Sequence, residues 1–227
     1  MVLISFTSLV ALGFLPSGVV AIYHYGNNSA PCDSPLFCFG PVLHDVQMGQ
    51  PRVFDDSKTF VDMPTRFPLK KVQDAYEQLP VPLRNNTLLQ RFLKDHFVPA
   101  GSELVELADW SLTTNASFIS SIKNPIIEEF VQKTVGKWAN LTRIFNESVI
   151  CDQCEGSFVP IKRPFVIAGG RFREPYCWDS YWILQGLLRT GGSFTQISRN
   201  QIENLLDNVE DYGFVPNGGR KYYLHRS

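Results

Sequence analysis

At 227 residues, 44% of them apolar and 13% aromatic, the chain can bury a sizeable core as one large domain or two small ones, and its composition is not that of a disordered segment. Its 21 basic and 22 acidic residues nearly cancel, which gives no support to a nucleic-acid or membrane-surface role and suits a neutral ligand at least as well.

Residues 1–21 read as a secretory signal peptide: an uncharged apolar run is interrupted by Pro16 and Gly18 and ends in small residues, with cleavage expected near Ala21. The run also approaches spanning length, so a signal anchor is the alternative, and no later stretch has the length and apolarity to cross a membrane. Five sequons follow, at Asn27, Asn85, Asn115, Asn140 and Asn146, and together with the leader they predict a secreted or extracellular-face glycoprotein. Among the five cysteines, Cys32/Cys38 and Cys151/Cys154 are spaced for two local disulfides, with zinc as the competing reading of the second pair. Cys177 is left over, and the expectation is a buried thiol or a partner beyond Ser227.

Residues 22–68 form an N-terminal arm, cut by Pro31, Pro35, Pro41, Pro51, Pro64 and Pro68 into short extended or turn pieces and anchored by Phe37, Phe39, Val53, Phe54, Phe60 and Phe67. Helical spacing then predicts Leu69 to Leu79, and Thr87 to Phe97 with Asn86 as a candidate cap. Asn124-Pro125 reads as the start of a longer helix reaching Phe145. After the second cysteine pair, a helix beyond Asp179 ends at Gly191-Gly192, and another runs from Phe194 to Val209 with Ile197, Ile202, Leu205, Leu206 and Val209 on one side. The two make an αα-hairpin. Few segments alternate like strands, so the chain reads as mostly α.

Two loops at the ends of that hairpin mix charges with aromatics. The first carries Arg171, Phe172, Arg173, Glu174, Tyr176, Trp178, Asp179, Tyr181 and Trp182. Arginine donates from a rigid fork and carboxylates accept in pairs, which suits vicinal sugar hydroxyls, while Trp178 or Phe172 suits the apolar face of a pyranose. The plainer reading of Asp179 is a helix cap, with the arginines serving surface carboxylates. The second loop, Phe214 to Arg226, repeats the mixture, and a helical hairpin brings both loops to one end. The paired glycines lack phosphate-loop spacing, and His24, His44, His96 and His225 show no ligand spacing, so neither cofactor nor metal is expected.

At these residues the chain resembles the inverting trehalases, especially the secreted animal ones. Ala168 to Tyr181 follows the family signature Pro-Gly-Gly-Arg-Phe-x-Glu-x-Tyr-x-Trp-Asp-x-Tyr with alanine for the first proline, Asp56 to Pro64 looks like the family's arm, and Gly213 to Ser227 looks like its second substrate loop. The resemblance implies an all-α fold, an (α/α)6 toroid of which residues 69–227 supply the first part. It implies hydrolysis of α,α-trehalose to two glucoses with inversion. Arg171 and Asp179 would hydrogen-bond glucose hydroxyls, Phe172 and Trp178 would shape the subsite, and Asn217 and Arg226 would close on the same sugar. Inversion needs an acid and a base on opposite sides of the sugar, roughly 6.5–9.5 Å apart. In the family these are an aspartate and a glutamate with no counterpart before Ser227, so no catalytic residue is assigned and the 227-residue chain is expected to be an inactive fragment; the alternative is a non-catalytic sugar-binding or interaction protein. Glu174 and Asp179 are too close in one loop to be the pair and read as partners of Arg171 or Arg173 and of sugar hydroxyls. The expected partners are trehalose and glucose, with a membrane reached only through a signal anchor or a missing C-terminal segment.

Overall fold

The computed structural model describes residues 24–25, 28–80, 86–107 and 112–224. The expected leader at 1–21, the sequon asparagines Asn27 and Asn85, and Arg226 lie outside the described residues. A minimal antiparallel pair, β1 (His24–Tyr25) and β2 (Asn28–Ser29), precedes the arm. The arm holds more regular structure than its prolines predict. Helix α1 spans Pro41–Met48, because a proline in the first turn replaces an N–H that has no helical partner anyway and brings a φ suited to the helix. A single turn, α2 (Lys58–Val61), follows. Helices α3 (Leu69–Glu77) and α4 (Asn86–His96) occupy the spans predicted from apolar spacing.

These four helices share one core. Leu36, Phe37, Val42, Val46 and Phe60 of the arm pack with Val72 and Tyr76 of α3, Leu89 and Phe92 of α4, and Phe97 just after it, and this core crosses the boundary expected at residue 68. Two disulfides, Cys32–Cys38 and Cys151–Cys154, join the two close cysteine pairs, so the second pair is a disulfide and not a zinc site.

Strand β3 (Leu104–Glu106) leads to the long helix α5 (Pro125–Leu141), capped by Asn124, whose Oδ1 accepts the N–H groups of Ile126 and Ile127 at 3.0 and 3.3 Å. The helix stops four residues short of the expected Phe145. Thr142–Phe145 is instead strand β4, the middle of an antiparallel sheet between β3 and β5 (Phe165–Val166). The β-branched Thr142 and Ile144 and the aromatic Phe145 favour the pleated conformation, and pairing on both edges outweighs continuation of the helix.

Helices α6 (Cys177–Thr190) and α7 (Ser193–Tyr212) pack against each other as the predicted αα-hairpin. The link needs glycine: Gly191 and Gly192 have φ of 63° and 60°, and a Cβ on Gly192 would lie 2.4 Å from the Thr113 carbonyl oxygen. Of the apolar side predicted for α7, only Ile197 is buried, while Ile202, Leu206 and Val209 are exposed. The buried stripe is polar, built from Ser198, Gln201, Asn204 and Asn208. Its side chains act as backbone partners. Gln201 Oε1 accepts the Val166 N–H at 3.2 Å and its Nε2 donates to Ser180 Oγ at 3.0 Å, while Asn204 bonds both the N–H and the carbonyl of Arg163. β5 ends the sheet, and Gln201 of α7 satisfies its outward Val166 N–H.

The chain is thus largely α-helical, with seven helices among the described residues and one three-stranded sheet that the sequence did not suggest. No described helix is long and apolar enough to cross a membrane. Replacing Gln201 by leucine, close in volume, leaves the Val166 N–H and the Ser180 hydroxyl without partners. The expected cost is about 1–3 kcal/mol in urea unfolding, and a variant as stable as the parent would contradict the role assigned to this stripe.

Candidate functional site

The first polar-aromatic loop turns back on itself at Gly169-Gly170. Gly169 and Phe172 exchange backbone hydrogen bonds of 3.1 Å in both directions, and the two glycines, at φ 101° and 61°, permit the tight reversal. The reversal leaves Arg171 and Phe172 exposed at its tip. The chain then dives: Glu174, Pro175 and Tyr176 are buried, and α6 starts at Cys177.

The second loop lies alongside this stretch. Tyr176 and Gly218 form an antiparallel bridge, with the Cys177 N–H donating to the Asn217 carbonyl at 3.1 Å and the Gly219 N–H to the Pro175 carbonyl at 2.9 Å. A Cβ on Gly218 would lie 2.9 Å from both the Tyr176 and Tyr223 rings, so the approach depends on glycine. Backbone pairing therefore sets Asn217 beside the start of α6, next to Trp178.

Beneath the paired loops is a group of charges taken wholly out of water. Arg220 is completely buried. Its Nη1 donates to Glu103 Oε1 at 2.7 Å and Ser157 Oγ at 3.2 Å, and its Nε lies 3.3 Å from Glu174 Oε2 and 3.4 Å from Asp62 Oδ1. Lys58 Nζ pairs with Asp62 and, at 2.7 Å, with Glu174 Oε1. Two tyrosines complete it: Tyr222 OH donates to Asp62 Oδ1 at 2.7 Å, and Tyr176 OH donates to Glu174. Burial alone would raise the Glu174 pKa, but the charges of Arg220 and Lys58 overcome it and hold the carboxyl below the usual carboxylate range. Burial, reinforced by the neighbouring carboxylates, pushes Tyr176 and Tyr222 well above the ordinary phenol value.

Several expectations change on this geometry. Glu174 is not a surface partner of Arg171 or Arg173 and faces no solvent from which a sugar would approach; it is the buried counter-ion of Lys58 and Arg220. Arg171 pairs instead with Asp56 of the arm, Nη2 to Oδ1 2.8 Å. Asp179 is not the helix cap, since Tyr176 occupies that position and Asp179 sits in the first turn of α6, where its charge suits the helix dipole. Cys177 is an exposed free thiol and not a buried one, because the first turn of α6 lies at the surface beside Asn217. Trp178 is 71% exposed, Phe172 44%, and Asn217 is exposed. Arg171, Phe172, Trp178, Asp179 and Asn217 thus belong to one pair of joined loops. Among the sequon asparagines, Asn115 and Asn140 are exposed, whereas Asn146 is half-buried with its Oδ1 accepting the Ser148 N–H. No group of three or more histidine, cysteine, aspartate and glutamate side chains among the described residues is arranged to hold a metal ion.

Sequence reasoning does not single out Asp56, Lys58, Asp62 and Glu103 for this region, and it leaves Arg220 as an unassigned member of the second loop. One signal was present: Lys58 and Asp62 stand four apart, flanking Phe60 and Val61, a charge pair set into apolar sequence.

Comparison with known proteins gives a consistent answer. Residues 52–227 match the family model described as Trehalase. A trehalase of Dictyostelium discoideum is 42% identical over 207 residues, covering 89% of this chain and 34% of the relative. Those of Oryctolagus cuniculus and Homo sapiens are each 34% identical, each covering 87% of this chain and 34% of the relative. The chain therefore spans about a third of the length of the curated relatives it matches.

Replacing Arg220 by methionine, similar in reach but uncharged, leaves Asp62 and Glu174 with Lys58 alone and takes from Glu103 its Arg220 partner. The expected loss is about 3–5 kcal/mol in chemical denaturation. Stability should also fall at both ends of the pH scale. Glu174, lowered in the folded state, contributes stability above its unfolded pKa that is lost as pH falls through the folded value. Tyr176 and Tyr222, raised in the folded state, contribute stability that is lost as pH rises past about 10, the unfolded phenol value. Glu174→Gln should flatten the acid limb of a stability-against-pH curve and only weaken the alkaline limb, because burial, the largest cause of the raised tyrosines, remains.

Proposed function

The chain belongs to the trehalase family, and from that premise we propose that it carries the sugar-holding wall of an enzyme that hydrolyses α,α-trehalose to two glucoses with inversion. The bridge between Tyr176 and Gly218 carries this reading, because it joins the two polar-aromatic loops into one surface. On that surface Arg171 and Asp179 hydrogen-bond glucose hydroxyls, Phe172 and Trp178 give flat apolar contact to the ring, and Asn217 approaches from the second loop; the family resemblance assigns Arg226 to the same sugar. Exposed rings beside fixed polar groups are what a site for a neutral polyhydroxyl ligand requires.

The acid and the base of the reaction fall to the two-thirds of the family's length that this chain does not span. Glu174 is unsuited to either role, being buried, ionised and held by two cations. An acid must instead keep its proton near neutral pH to protonate the bridging oxygen, and a base must face water across the sugar. Residues 69–227 are then the first part of an (α/α)6 toroid, with the α6–α7 pair as one of its hairpins. The local disulfides, the exposed Asn115 and Asn140, and the leader-like 1–21 support residence outside the cell or on its outer face. The described part of the arm shares one core with α3 and α4, which ties the arm to the start of the helical part.

The test is equilibrium binding of trehalose to the 227-residue chain, followed by tryptophan fluorescence, beside an assay of glucose release. Saturable binding without glucose release is expected. Trp178→Ala and Asn217→Ala should each weaken binding by about tenfold or more, ~1.4 kcal/mol. Undiminished affinity in both variants would sink the assignment of this wall.

A further inference from the structure

We propose that Asp56, in the N-terminal arm, is a positioning residue of the sugar site: its carboxylate holds the Arg171 guanidinium so that the remaining N–H groups face a glucose hydroxyl. The proposal rests on the sugar-binding role given to Arg171 above. Asp56 Oδ1 lies 2.8 Å from Arg171 Nη2, and the same oxygen accepts the Lys58 N–H at 2.9 Å. The Thr59 N–H bonds the Asp56 carbonyl at 3.0 Å, so the carboxylate stands on a closed turn.

Lys58 also fixes the other side of the pair. Its Nζ lies 2.7 Å from Glu174 Oε1, and Glu174 follows Arg171 by three positions in the loop. A closed circuit therefore runs from Asp56 to Lys58, across to Glu174, and back along the chain to Arg171. Lys58 and Glu174 are both buried, which makes this circuit rigid at its base. An exposed ion pair ordinarily gains little because two free side chains must be ordered to make it. Here one partner arrives already oriented.

The consequence for Arg171 is geometric. One edge of its guanidinium faces Asp56, and its central carbon lies 5.5 Å from the Phe172 ring centroid. Half of the side chain is exposed, and among the described residues it has no other ion pair or hydrogen-bond partner. A planar fork held at one edge, with its other donors open, matches adjacent hydroxyls in a way that a freely rotating arginine does not. The arm thereby contributes to sugar recognition through Arg171, without Asp56 itself needing to touch the sugar.

The experiment compares trehalose affinity and thermal midpoint for the 227-residue chain and its variants Asp56→Ala, Asp56→Asn and Arg171→Ala. Asp56→Ala should weaken trehalose binding about tenfold, the scale of a misplaced binding group. Asp56→Asn keeps an oxygen for the Lys58 N–H and for Arg171 and should recover most of that loss. Both should melt within about 1 °C of the parent, because a half-exposed pair carries little stability. Unchanged affinity in Asp56→Ala, with a clear loss in Arg171→Ala, overturns the proposal alone. A fall in melting temperature that tracks the affinity loss in Asp56→Ala also overturns it, in favour of a structural role. No saturable binding by the parent, or full affinity in Arg171→Ala, overturns the sugar-binding reading first and this proposal with it.

Discussion

Charge removed from water must be met by opposite charge and by hydrogen bonds, or the fold cannot keep it. In this chain the meeting point is Arg220, which gathers Glu103, Glu174 and Asp62, while Lys58 ties Asp62 to Glu174 from the other side. The five residues come from four parts of the chain: Lys58 and Asp62 from the arm, Glu103 from the segment before β3, Glu174 from the first loop and Arg220 from the second. Removing one partner would strand the rest without compensation, so the segments are held to a common arrangement. The loop surface above inherits its shape from this base. Backbone bridges between Tyr176 and Gly218 and between Phe158 and Arg220 then fix the loops residue by residue.

Legibility in the sequence followed the way each element is stabilised. Helices α3, α4 and α6 were visible, since their turns and apolar spacing are local properties. Helix α7 was visible as a helix, but its buried side was not. Gln201 and Asn204 face inward to serve the backbone of β5 and Arg163, and hydropathy alone assigns such residues to solvent. Strand β4 was read as helix because its pairing with β3 and β5 is a tertiary event that no window of sequence contains. Helix α1 was hidden by Pro41, which breaks a helix in its middle and starts one at its beginning.

The candidate site divides in the same way. Arg171, Phe172, Trp178 and Asn217 stood out because rings and charges mixed in one short segment fit neither a core strand nor a solvated loop. The groups that support them did not. A lysine or arginine in a sequence is read as surface, and only the structure reveals that Lys58 and Arg220 are buried. The family signature points to the same surface, so motif and composition both described the rim of the site and missed its footing.

The pairings at that footing also set an order in time. Arg220 meets Glu103 across 117 residues of chain, and Tyr222 meets Lys58 across 164. Closing such long loops costs entropy before any contact repays it, and contacts of this range are the slow ones in folding. During synthesis from the N-terminus, Lys58 and Asp62 emerge long before their partners and stay hydrated until Arg220 and Tyr222 arrive. Among the described residues, the apolar core of α1 to α4 draws on none beyond Phe97 and has no such wait. The apolar core of the arm therefore matures early and its charges late, so the paired loops take shape only after that core is in place.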